Sequence, residues 1–366
     1  MTRLWWAQIK SVMRLEMKKT LFARRGLWIY ALALLPLLLF IAQSVMTSRD
    51  RGRSSRLAHQ GTKTLTNQDL HLVKPDMTSE EVIALLGKPP SRFNWTEQQP
   101  LDSGGFTNVH HEDFHYSDGL DELFVEFVDG KVVGITIRQG INLPEDSVVF
   151  AGVFQFFYLR LAIFFGCLGI FMNLFRGEIL DKSLHFYFLA PIRRDVLMAG
   201  KFLAGLLATC IIFVTSELLQ IVVFTWKFSP TARDLYLYHN HGLAQGAAYL
   251  GVTALACLGY GAFFLAAGML FRNPILPAGA ILIWEAVNPF LPALLKKFSV
   301  IYYLKSLCPV DIPSPPGTPA LLSLLVSNPD PVSAPVAIMG VVTVALLVLY
   351  ISSFQVRRME INYTTE

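Results

Sequence analysis

His111-Glu112-x-x-His115 is the one stretch of this chain whose residue types and spacing could hold a metal and use it. On a helix, the two imidazoles of such a pattern project from one face and share a zinc, and the Glu serves as general base. Each Zn–N distance is about 2.0–2.1 Å, so both rings must converge on one point. On a strand, which rises about 3.3 Å per residue, the same two histidines stand about 13 Å apart and cannot share an ion. The surroundings decide between these. The stretch lies between Gly104-Gly105 and Ser117-Asp118-Gly119, alternates polar with aromatic residues, and lacks a helical apolar stripe. We therefore expect a solvated strand edge and no metal site, for His110 as for His111 and His115. A phosphate-binding loop needs Gly-x-x-x-x-Gly-Lys-Ser/Thr. Here Gly87-Lys88 is followed by Pro89, and Gly200-Lys201 by Phe202. No nucleotide site of that kind and no nucleophile elbow is expected, so the chain reads as a non-enzyme without a cofactor of its own.

The rest of the chain points to lipid. Of its 366 residues, 53% are apolar and 16% charged, against about 25% charged in an average soluble protein. Mean hydropathy is +0.45. A bilayer core takes about 20 apolar residues as helix. Six runs qualify: 27–46, 148–174, 202–225, 243–271, 275–295 and 335–355. The first contains Pro36. The fifth is crowded by Pro274, Pro277, Pro289 and Pro292, so 294–334 is a candidate re-entrant stretch. Ala247-x-x-x-Gly251 and Ala262-x-x-x-Ala266 in the fourth are read as helix-packing faces. The four cysteines imply no disulfide framework. The net charge of +4 is spread along membrane flanks and does not suggest a nucleic-acid partner.

Basic residues favour the cytoplasmic side. Arg3 through Arg25, then Arg176, Lys182, Arg193, Arg194 and Lys201, then Arg357-Arg358, place residues 1–26, the loop 175–200 and the tail together on that side. Six spans bring both termini to it. Arg49, Arg51, Arg53 and Arg56 oppose the pattern, but long translocated domains obey it weakly. Residues 1–26 are expected as an amphipathic interfacial helix. Trp5, Trp6, Ile9, Val12, Met13 and Met17 face one way, and Arg3, Lys10, Arg14 and Lys18 the other. Glu16 interrupts the apolar stripe, which leaves room for part of that face to meet a protein.

Residues 47–147 are polar and read as a small α+β domain inserted between the first two spans, with 49–70 as its linker. Thr78 and Glu81 form a capping box that starts a helix, and Gly87 with Pro89 stops it. Phe114 and Tyr116 mark a strand. Leu123, Val125 and Phe127, then Asp129-Gly130, then Val133, Ile135 and Ile137 mark a hairpin.

Two resemblances follow. FRGEILDKSLHFYFLAPIRRDVLMAGKFLAG, residues 175–205, resembles the loop between the second and third helices of ABC-2 type exporter permeases. Glu178, Leu189, Pro191, Arg193, Arg194, Gly200 and Lys201 occupy the matching positions, and Lys182-Ser183 replaces the usual Gly-Thr. The likeness covers 1–46 and 148–366. It implies a membrane α-helical fold of six transmembrane helices working as a homo- or heterodimer. A separate ABC ATPase subunit would hold the ATP and Mg. The coupling loop 175–200 would dock on that subunit through Glu178, Asp181, Leu189, Pro191, Arg193, Arg194 and Lys201. DMTSEEVIALLGKPP, FHYSDG and LFVEFVDGKVVGI resemble the SmpA/OmlA (BamE-like) domain of bacterial envelope proteins, with Asp76 where Gly is common. That implies an extracytoplasmic location for 47–147 and an envelope partner contacted through 75–140. The whole reads as an exporter permease of the bacterial inner membrane. The alternative is an ATP-driven anchor or mechanical transducer that presents the outer domain without transporting.

Three ionisable residues fall inside spans: Arg160, Glu217 and Glu285. A mid-bilayer charge costs roughly 2.5–3.5 kcal/mol on insertion scales and seeks a partner. Pairing of Arg160 with Glu217 or Glu285, structural or along a substrate path, is the expectation.

Overall fold

The computed structural model describes residues 2–22, 26–100, 106–119, 121–138, 143–180, 193–228, 230–271, 275–312 and 332–358. The chain divides into two compact units, residues 1–40 with 147–366, and residues 41–146.

The helical unit begins with α1 (Thr2–Phe22). Next comes α2 (Leu27–Gln60), which contains Pro36 and runs on into the second unit. In that second unit, α3 (Asn67–Leu70) and α4 (Ser79–Leu86) precede four strands. These are β1 (Ser91–Pro100), β2 (Phe106–Ser117), β3 (Glu122–Val128) and β4 (Lys131–Arg138). They form an antiparallel meander in the order β1-β2-β3-β4. Val82 and Leu86 of α4 pack with Phe114, Tyr116, Leu123, Val125, Phe127 and Val132 to make its core. The expected hairpin is present: Asp129 (φ 49°) and Gly130 (φ 79°) form the two-residue turn, because both central positions of such a turn need positive φ. Two sequence readings are corrected. Residues 49–60 are not a linker but the last turns of α2, held where the buried Ser54 hydroxyl bonds the Glu122 carboxylate. Strand β1 was not anticipated. It is an edge strand, exposed from Ser91 to Gln98, and its two apolar residues there, Phe93 and Trp95, are too few to mark a buried face.

Back in the helical unit, α5 (Leu143–Gly152) continues through a π-helical stretch, Val153–Ile163, into α6 (Phe164–Leu180). Then follow α7 (Arg194–Trp226), α8 (Pro230–Asp234), the π-helical Leu235–His239 and α9 (Gly242–Leu270). A shorter α10 (Ile275–Val287) leads through a 3₁₀ turn, Asn288–Phe290, to α11 (Ala293–Lys296), α12 (Val300–Leu307) and α13 (Ala334–Arg358). Helices α7 and α9 run antiparallel, with Gly246 beside Ile221 and Cys257 beside Cys210. A side chain at Gly268 would strike the Met172 backbone, which shows how closely α6 and α9 approach. Ala262 is fully buried, as expected of a packing face, whereas Gly251 has nothing within 4 Å of its missing side chain.

Among the described residues, five helical segments are long and apolar enough to cross a membrane. The run expected at 275–295 differs. Helix α10 has 13 residues, about 20 Å of helix, and stops before Pro289. Pro277 is tolerated because it sits in the first turn, whose N–H groups have no intrahelical acceptor. Pro289 and Pro292 fall where a longer helix would need those groups.

The capping box of α4 has both its bonds, Glu81 N to Thr78 Oγ1 at 3.3 Å and Thr78 N to Glu81 Oε2 at 2.8 Å. Thr78→Ala is expected to cost about 1 kcal/mol, measured as faster amide exchange in α4, with the sheet amides of β2 and β3 affected only through the shared core.

Candidate functional site

The region expected to meet an ATPase is built on the start of α7. Lys201 is fully buried about two turns into that helix. Its ammonium donates to Glu16 Oε1 of α1 at 2.9 Å and to the Leu174 carbonyl of α6 at 2.8 Å, and it lies 5.3 Å from the Phe175 ring. Gly200 makes the approach possible, because an added side chain there would meet Val12 at 2.9 Å. Glu16, the charge that interrupted the apolar stripe of α1, is thus the counter-ion of Lys201. Trp6 and Leu15 remain exposed. The expectation that Lys201 contacts a partner is corrected: it is sealed inside the chain.

The two arginines before it are also engaged internally. Arg194 Nη1 donates to the Arg357 carbonyl at 2.9 Å, at the last turn of α13. Cations favour that end of a helix, where carbonyls lack intrahelical donors. Asp195 Oδ1 accepts from Arg357 Nε at 2.9 Å and from Ser353 Oγ at 3.2 Å. Arg193 stays exposed, 3.4 Å from Asp195 Oδ2 and 4.9 Å from the centre of the Trp5 ring. The start of α1, the end of α13 and the start of α7 therefore meet at one end of the helical unit. Glu178 lies on the last turn of α6, and its side chain is outside the described residues, as are Asp181, Leu189 and Pro191 entirely. Asp195 and Glu16 escaped the sequence reading of this region. Glu16 had left a signal in its misplaced charge, whereas Asp195 had none, because its closer partners, Ser353 and Arg357, lie 158 and 162 residues away.

The intramembrane charges do not pair as expected. Glu285 is turned to a helix start: its oxygens accept from Ser299 Oγ at 2.7 Å, Val300 N at 3.0 Å and Ile301 N at 2.9 Å, at the N-terminus of α12. Those are groups that a helix leaves without acceptors. Arg160, in the π-helical stretch, lies 5.4 Å from the Phe156 ring and within electrostatic reach of Glu285, with no direct ion pair between them. Glu217 has no exposed surface, and neither oxygen has a hydrogen-bond partner among the described residues. The α7–α9 register sets it opposite the turn of α9 that carries Tyr249 and Thr253, whose buried hydroxyls are likewise unpartnered. Tyr158 bonds the Phe213 carbonyl one turn before Glu217. The result is a cluster of buried polar groups whose hydrogen-bonding capacity is unspent among the described residues.

In the second unit the HExxH residues lie on a strand, β2, as expected, but the solvated edge is corrected: β2 is paired on both sides, by β1 and β3, and Glu112 and His115 are buried. Trp95 stacks on His111 at 5.0 Å, and Glu97 is 3.5 Å from that ring. His115 stacks on Phe124 at 4.2 Å and faces Glu122 at 3.4 Å. The two imidazoles address different carboxylates, and no metal-holding group of three or more His, Cys, Asp or Glu is present among the described residues. Asp113 stands between them on the same face, its carboxyl pushed above the usual range by burial and then by the neighbouring Glu126 charge, with His111 opposing.

Comparison with family models, with curated proteins and with solved structures returned no match.

Two outcomes are expected. Breaking a buried pair by removing one partner costs about 3–5 kcal/mol, while replacing both partners by apolar groups is close to neutral. Lys201→Met or Glu16→Leu alone will therefore release α1, seen as protease cleavage within residues 1–22, and the double variant will restore protection. A carboxyl whose folded pKa is raised favours folding below its unfolded pKa and loses that contribution as pH rises through the folded value. Asp113→Asn will accordingly slow β2 amide exchange relative to wild type near neutral pH, and the difference will vanish near pH 4.

Proposed function

We propose that the chain is the membrane-spanning permease subunit of an ABC-2 type exporter of the bacterial inner membrane, with a BamE-like domain inserted on the extracytoplasmic side. A separate ATPase subunit would supply the work, and two permease chains would complete the transporter. The observation that carries this reading is the junction at the start of α7. A transporter driven from outside its own chain needs a handle joined stiffly to the spanning helices. Here residues 181–192 connect α6 to α7 in sequence. Through Lys201, Arg194 and Asp195, that start is tied to α1, α6 and α13. A push on the loop moves four helices together. In this reading Glu178, Asp181, Leu189, Pro191 and the exposed Arg193 form the docking surface, and Lys201 and Arg194 act behind it as the linkage.

The shared end of α1 and α13 supports placing both termini on the cytoplasmic side. With five long helices, that requires the broken segment from α10 through α12 to account for the sixth crossing. Glu217, Tyr249 and Thr253 supply unspent polar groups at bundle depth, where an intramembrane carboxyl is by default part of a path. The second reading, a non-transporting transducer, is favoured by β1, where an exposed edge strand carries Phe93 and Trp95 toward solvent. Such an edge accepts an added strand from a partner.

Purification in mild detergent is expected to bring down an ATPase. Glu178→Ala is expected to lower substrate-stimulated ATP hydrolysis about tenfold or more, as loss of a charge-assisted contact does. Unchanged coupling removes the docking assignment. Intact ATP hydrolysis without movement of substrate in vesicles selects the transducer.

A further inference from the structure

A small cavity lies beside Ile221 of α7, about one turn beyond Glu217 on the same helix. Its volume is about 20 Å³, and one water needs about 10–15 Å³. Phe224 of α7, Gly246 and Tyr249 of α9, and Tyr236 of the π-helical stretch before α9 complete most of its wall.

Tyr249 belongs to the cavity and to Glu217 alike. It lines the cavity, is 3% exposed, and its hydroxyl has no hydrogen-bond partner among the described residues. Its phenol also lies within electrostatic reach of Glu217. The ring packs edge-on against Phe150 and Phe154, with centres 5.2 and 4.7 Å away, which restricts where the hydroxyl can go.

The surroundings of Glu217 decide what it can bind. Tyr158, Tyr249 and Cys308 are the titratable groups within electrostatic reach of it among the described residues. Tyr158 has its hydroxyl hydrogen committed to the Phe213 carbonyl. Helix α2 reaches this level through Ala33, whose carbonyl accepts from Ser216. No cation among the described residues lies within electrostatic reach of Glu217. An isolated carboxylate in apolar surroundings costs far more than the neutral acid. The neutral acid presents one O–H donor and acceptor oxygens, and the unpartnered hydroxyls of Tyr249 and Thr253 each both donate and accept. The cluster therefore suits a carboxylic acid, with no counter-ion required.

We propose that Glu217 is a proton-binding site, exchanging its proton through the Tyr249 hydroxyl and one water in the adjoining cavity. In release, the Glu217 O–H breaks and its proton passes to the Tyr249 oxygen. The original Tyr249 proton passes to the water, which hands it on to solvent. A carboxylate remains, Tyr249 is regenerated, and uptake runs the same steps in reverse. This deepens the reading of these groups as part of a path. The site itself rests only on the helices lying in a bilayer. Its side rests on the proposed topology: with the termini cytoplasmic, the start of α9 faces the outside, so the proton exchanges there.

The test is infrared spectroscopy of the full chain in a glycoside detergent, which has no carbonyl of its own. It needs no ATPase, so its outcome is separate from that of the coupling experiment. At neutral pH the wild-type chain is expected to show a neutral-acid C=O stretch that moves on transfer to D₂O. Glu217→Gln, neutral and of the same shape, will remove that band. Tyr249→Phe will keep it, which shows the bundle intact, and will slow its exchange with D₂O on the order of a hundredfold, the low end of what a positioned proton-transfer group contributes. A spectrum with no neutral-acid band overturns the proposal, as does a band that survives Glu217→Gln. Unchanged exchange in Tyr249→Phe overturns the relay. Thermal stabilisation by sodium that is lost in Glu217→Gln, with no neutral-acid band in the wild type, assigns the site to a monovalent cation and also overturns it.

Discussion

An ammonium group with no solvent contact organises one end of the helical unit. Lys201 sits where water cannot reach, and its charge is tolerable only because Glu16 and the Leu174 carbonyl converge on it. An unpaired charge there would cost several kcal/mol. The pair consequently decides which face of α1 turns inward, and Gly200 sets how near α1 comes. A helix that composition alone would lay on the lipid surface becomes a bundle element with a fixed azimuth. The remaining cations at this end follow: Arg194 closes the carbonyl end of α13, and Asp195 draws Arg357 across to the same place. Three helix ends distant in sequence become one mechanical part.

The two carboxyls within the apolar segments have opposite fates, and the difference is chemical. Glu285 has its oxygens saturated by backbone and hydroxyl donors at a helix start, so it makes structure: it turns the chain after α10 and fixes where α12 begins. Glu217 is buried more completely, and nothing among the described residues donates to it. Tyr249 and Thr253, across the antiparallel pair, share its condition. Buried polar groups that lack partners are costly, and a bundle keeps such a group where something else completes it. On this criterion the two carboxyls differ in kind: Glu285 holds the bundle, and Glu217 keeps its hydrogen-bonding capacity unspent among the described residues.

The inserted unit was largely legible because its signals are local. The Thr78–Glu81 cap, the Asp129-Gly130 turn and the alternation through β3 and β4 each depend on neighbours within a few residues, so the sequence carries them openly. Strand β1 was not legible. It is exposed along its length, and it is a strand only because β2 offers it hydrogen bonds. The tail of α2 was misread for the converse reason: Ser and Arg there resemble a linker until Ser54 meets Glu122, far along the chain.

In the helical unit, the apolar runs of about 20 residues determined that helices of membrane length exist and roughly where they lie, since a helix satisfies its backbone polar groups within its own segment. The prolines determined that the stretch after 275 is broken. The tertiary structure alone decided which charges meet. Sequence placed Arg160 and a glutamate at comparable depths, but a charge bonds to whatever donor its helix azimuth presents. Azimuth follows from packing at Gly200 and Gly268, which no single segment encodes. Lys201 looked like a surface handle, and Glu16 like a flaw in a stripe. Only the approach of α1 to α7 turned the two into one buried bond, because the energy that joins them appears only once water has been excluded from both.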